Sequence, residues 1–79
     1  MTLSSSEWID RFAGKLGLEA PNTDDIEMLL DLAGLAAHAS QRTAAPISCW
    51  LAAKGGLSPA DAYAAALQLI DASETEETP

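Results

Sequence analysis

Cysteine and histidine each occur once, as Cys49 and His38, in a chain of 79 residues. A single thiol excludes an intramolecular disulfide. One thiol with one imidazole also falls short of the usual ligand set of a Cys/His zinc site. Basic residues are scarce: Arg11, Lys15, Arg42 and Lys54 are scattered against 12 acids, for a formal net charge of -8. A phosphate backbone requires clustered cations, so nucleic-acid binding is not expected. An anionic membrane surface is disfavoured for the same reason. No apolar run approaches the roughly 18 residues of a spanning helix. The first residues lack the basic region and apolar core of a signal peptide. Together with the unpaired thiol, this makes a cytoplasmic protein the expectation.

Hydrophobic residues make up 48% of the chain, but the aromatics are only Trp8, Phe12, Trp50 and Tyr63. Much of the apolar share is alanine, which lets helices approach closely. A chain this short buries only about 60% of its unfolded surface, so one core is marginal. With disulfides and metals set aside, dense helix packing or self-association is left to stabilise it.

Helical punctuation is frequent. Ser4 and Glu7 have capping-box spacing, and Leu3 with Trp8 could form a hydrophobic staple. Trp8, Ile9, Phe12, Ala13 and Leu16 follow at helical spacing, and Gly17 suits a left-handed terminator. The spacing predicts a first helix over about 5–16. After Pro21, the cap of a second helix is Asn22, Thr23 or Asp24, and Asp24 with Glu27 again matches the capping box. The second helix should run to Ala39 with two apolar faces. Ile26, Leu29, Leu30, Ala33 and Ala37 form one, and Met28, Leu32, Leu35 and Ala39 the other. A helix apolar on most of its circumference must be enclosed by its own chain or by a second subunit.

Pro46 disfavours helical geometry at Ala45 and fits the first turn of a third helix, over 46 to about 54, with Ile47, Trp50 and Leu51 on its apolar side. Gly55-Gly56 stops that helix. Ser58, Pro59 and Asp61 then supply a cap, a favoured first residue and an acid for a fourth. Its inner stripe reads as Tyr63, Ala66, Leu67 and Ile70. The expected fold is all-α, a compact bundle of about four short helices: a helical domain over 1–73 and a disordered acidic tail over 74–79.

The chemistry available is thin. Cys49 and His38 could pair as nucleophile and base, but Cys49 beside Trp50 reads more simply as a small packed hydrophobe. His38 and Arg42, four residues apart at the end of the second helix, read first as caps of that end. With the start of the third helix they could instead hold an anion or a partner. Glu27 and Asp31 share a helical face, but no loop here has the ligand pattern of a calcium site. Trp50, like Trp8, belongs either in a core or on a surface that meets a partner. An acyl carrier protein would match in size and charge, yet the Asp-Ser-Leu tripeptide that bears its prosthetic arm is missing.

The arrangement Glu7-Trp8-Ile9-Asp10 followed by Leu16-Gly17-Leu18 resembles the opening of a family of short bacterial proteins of unknown function. The run Asp31-Leu32-Ala33, Ala36-Ala37-His38, Arg42 and Ala44-Ala45-Pro46-Ile47 is similar to its central signature. The resemblance covers about residues 6–71. In that family the domain occurs alone or at the C-terminus of molybdenum cofactor guanylyltransferases, which attach a guanosine nucleotide to molybdopterin. The resemblance implies an accessory or interaction role near molybdenum cofactor maturation. It does not imply guanylyl transfer, because the glycine-rich nucleotide-binding domain has no counterpart here. His38 and Arg42 are the first positions to test for a shared ligand.

The expectation is a non-enzymatic module with no cofactor and no metal, acting as a homodimer or on a protein partner. His38, Arg42 and Trp50 are its candidate contact residues. The competing expectation is a small-ligand or nucleotide-binding accessory protein that uses His38 and Arg42.

Overall fold

A computed structural model describes residues 2–76, with side chains through residue 71. It contains four helices: α1 (Ser5–Lys15), α2 (Thr23–Ala39), α3 (Ala44–Lys54) and α4 (Pro59–Glu76). The expected all-α architecture of four helices is the one found. Helix α4 continues through Glu76 into the stretch read as a tail, and residues 77–79 of that tail lie outside the described residues.

Local chemistry sets most of the helix boundaries. At the start of α1 the Glu7 N–H donates to Ser4 Oγ (3.2 Å) and the Ser4 N–H donates to Glu7 Oε1 (3.2 Å), a complete capping box. These two bonds satisfy donors that the first turn cannot pair internally. Asn22 caps α2 by accepting the Asp25 N–H at 2.7 Å. That places the cap two residues before Asp24, so Asp24 and Glu27 lie inside the helix instead of forming a box. Ser58 accepts the Asp61 N–H at 3.1 Å and starts α4 at Pro59.

Helix α3 begins two residues earlier than expected. Ala44 and Ala45 are helical, and their N–H groups reach back to the Gln41 and Arg42 carbonyls at 2.9 and 3.1 Å. Pro46 is therefore the third helical residue. A proline is tolerated there because an N–H of the first turn has no intrahelical acceptor. The steric bias against helical Ala45 is outweighed by the turn that leads into it.

Two helix ends repeat one device. Gly17 and Gly56 both adopt φ +74°, and the leucine after each donates its N–H to a carbonyl five residues back. Leu18 bonds Ala13 at 2.9 Å and Leu57 bonds Ala52 at 3.1 Å. An L-residue is strained in that left-handed geometry, so glycine is required at both points.

The core lies where α2 packs on α3 and on α4. Leu32, 3% exposed, sits at its centre with Ala52 of α3 and Ala62 of α4, and Cys49, Tyr63 and Ala66 pack around them. Two of the three central side chains are alanines, so backbones come close where there is little side chain to interpose. Helix α1 shares no comparable packing with the other three. The molecule measures 52 × 28 × 19 Å, and its radius of gyration is 14.6 Å. A compact chain of this length would have about 11.5 Å. A three-helix body thus carries α1 as an extension.

Candidate functional site

Among the described residues Leu32 is the only large side chain in the buried core, so most of the large apolar residues remain in contact with solvent. The accessible surface of the chain is 6325 Å². A folded monomer of 8.2 kDa would expose about 4,500 Å².

Apolar residues gather on two surfaces. The first is an open groove of about 350 Å³ among α2, α3 and α4. Leu35, Ala36 and Ala39 of α2 form its floor with Leu32, Leu51 and Ser48 of α3 form one wall, and Ala66, Leu69 and Ile70 of α4 form the other. Leu57, held by its bond to Ala52, closes one end. No charged side chain lines the groove. The second surface is the stripe Trp8, Phe12 and Leu16 on α1, with Leu18 beyond it; all four are at least half exposed. The Trp8 and Phe12 rings stack with centroids 5.8 Å apart and planes 11° from parallel. Residues four apart on a helix lie above one another, and this spacing produces the stack.

The expected contact residues fall elsewhere. His38 lies in the last turn of α2 and Arg42 in the turn before α3; both are exposed and neither lines the groove. Trp50 is 59% exposed on α3, with the Lys54 ammonium 5.5 Å from its ring centroid. That contact is worth about 0.5–1 kcal/mol at an exposed site. Cys49 is half-buried against the core, its Sγ 4.0 Å from the Leu29 carbonyl oxygen. Cys49 is thus the packed hydrophobe that its position suggested, while His38 faces solvent. Among the described residues no group of three or more His, Cys, Asp or Glu is placed to hold a metal ion. Nor is any helix among them long and apolar enough to cross a membrane.

A clear protonation effect falls on Glu7. The hydrogen bond its carboxylate accepts from the Ser4 backbone N–H, then that from the Ser4 hydroxyl, holds its carboxyl below the usual range. This is helix capping, and it supplies no acid or base for catalysis.

The sequence left parts of the groove unmarked. Leu35, Ala39 and Leu51 belong to apolar faces visible in the periodicity, but Leu57 and Leu69 lie off the predicted stripes. The signal for Leu57 was its place after a terminating glycine, where an apolar residue commonly folds back on the helix.

Residues 3–78 match the domain of unknown function DUF6457, and the chain belongs to that family. No curated protein and no solved structure matches it.

Proposed function

We propose that the protein is a non-enzymatic interaction module that works through the apolar groove of α2, α3 and α4, self-associates, and serves molybdenum cofactor maturation. The observation that supports the interaction role is the groove itself: apolar, uncharged and open. Exposed apolar surface of this kind is stabilised by association. The titratable groups, by contrast, are dispersed over an exposed surface. The cofactor assignment rests on the sequence resemblance to domains carried by molybdenum cofactor guanylyltransferases.

The test is complementation in the native host. Deleting the gene should lower the activity of molybdoenzymes that use the guanine dinucleotide form of the cofactor. The wild-type gene and a His38→Ala, Cys49→Ala double variant should both restore it, whereas Leu51→Glu should not. Unchanged molybdoenzyme activity in the deletion strain would remove the cofactor link. Failure of the double variant would remove the non-enzymatic reading. Amide shifts confined to residues 38–48 on titration with GTP, molybdate or phosphate would replace it with a ligand-binding one.

A further inference from the structure

We infer that the occupant of the groove is helix α1 of a second copy of this chain, so that two copies exchange their first helices about a two-fold axis. This rests on the interaction role proposed above and specifies its partner. Three observations support it.

The first is shape. The stripe from Trp8 to Leu16 covers a rise of about 12 Å of helix. The α4 wall of the groove runs from Ala62 to Ile70, again a rise of about 12 Å. A helix laid in a groove presents side chains at i, i+4 and i+8, and Trp8, Phe12 and Leu16 have that spacing.

The second is charge. Helix α1 is neutral, with Glu7 and Asp10 set against Arg11 and Lys15, so the whole net charge of -8 lies on the remainder of the chain. Arg11 and Lys15 follow Trp8 and Phe12 by three residues and so flank the stripe. An uncharged groove on an acidic body suits an apolar stripe edged by two cations.

The third is area. A large apolar side chain offers on the order of 200 Å². The half-exposed residues of stripe and groove therefore hold roughly 800 Å² per copy, what a stable interface of standard size takes from each partner. Exchange about a two-fold axis closes the assembly at two, with each subunit giving one α1 and receiving one.

The full-length chain tests this by sedimentation together with tryptophan emission in a Trp50→Phe background, where Trp8 alone reports. Dimerisation at micromolar concentration is expected, with a blue shift of Trp8 emission that follows it. Phe12→Glu and Leu51→Glu should each weaken self-association on the order of 30-fold or more. Both positions are exposed, so far-UV circular dichroism should show unchanged helix content, and Leu69→Glu serves as a second groove variant. An equimolar mixture of Phe12→Glu with Leu51→Glu keeps one intact helix–groove junction and should form a heterodimer where neither variant dimerises alone. A strictly monomeric wild type, with Trp8 already blue-shifted at every concentration, means that α1 folds onto its own groove and overturns the exchange. A Leu51→Glu protein that still dimerises overturns it too, because the copies then meet through other surfaces. If the wild type is monomeric while Leu51→Glu still fails to complement, the interaction role survives and only its second-copy partner falls.

Discussion

Helix α1 and the body formed by α2, α3 and α4 start from similar instructions and reach different ends. Each has a serine or asparagine cap bonded three residues ahead, and each contains a helix stopped by a glycine at φ +74° and a following leucine. In the body those local signals are backed by packing: Leu32 is enclosed and Ala52 and Ala62 close on it. In α1 the same signals leave Trp8 and Phe12 stacked on each other in solvent. Capping and periodicity therefore specify a helix, while enclosure depends on what the rest of the chain brings against it.

That contrast can be broken most sharply at Leu32. Leu32→Ala should cost about 2–5 kcal/mol, most of the stability available to so small a domain, and thermal unfolding should show the body lost. Phe12→Ala, measured at concentrations that keep single copies apart, should leave the same transition nearly in place. The paired glycines give a finer comparison. Gly56→Ala forces an L-residue into left-handed geometry at a cost of about 1–2 kcal/mol and should lower Tm by several degrees. Gly17→Ala carries the same local strain, but it should speed amide exchange in α1 while the melting of the body stays unchanged.

The caps come next. Removing the Ser58 cap with Ser58→Ala should cost about 1 kcal/mol of global stability, whereas Ser4→Ala should be seen only as fraying of α1. The smallest effect is protonation of Glu7. Its carboxyl titrates lower in the folded chain than in the unfolded one, so its support for α1 is complete above the ordinary carboxylate range. That support fades as pH falls through the lowered value. Protection of the Glu7 and Trp8 amides, measured relative to their intrinsic exchange rates, should fall on acidification in the wild type and not in Glu7→Gln.

The same contrast explains what could be read in the residues beforehand. The Ser4–Glu7 box, the glycine stops and the Ser58-Pro59 start depend on contacts within a few residues, and all were legible. The early start of α3 was not, because the turn at Gln41 and Arg42 overrode the bias that Pro46 places on Ala45. Leu30 was grouped with an apolar face of α2 yet is 66% exposed. Periodicity states that a face is apolar, but only the arrangement of neighbours decides whether it is covered. The groove was the least legible feature. It is lined by residues of three separate helices, and small residues record how near helices come without recording what lies open between them.

The position of the single thiol has a practical consequence. Its sulfur sits between α2 and α3, facing the carbonyl of Leu29, and no second cysteine competes for reagent. The thiol is only partly covered, so parting of that helical hairpin should quicken alkylation, and the pace of labelling then reports the opening of the body without an introduced tag.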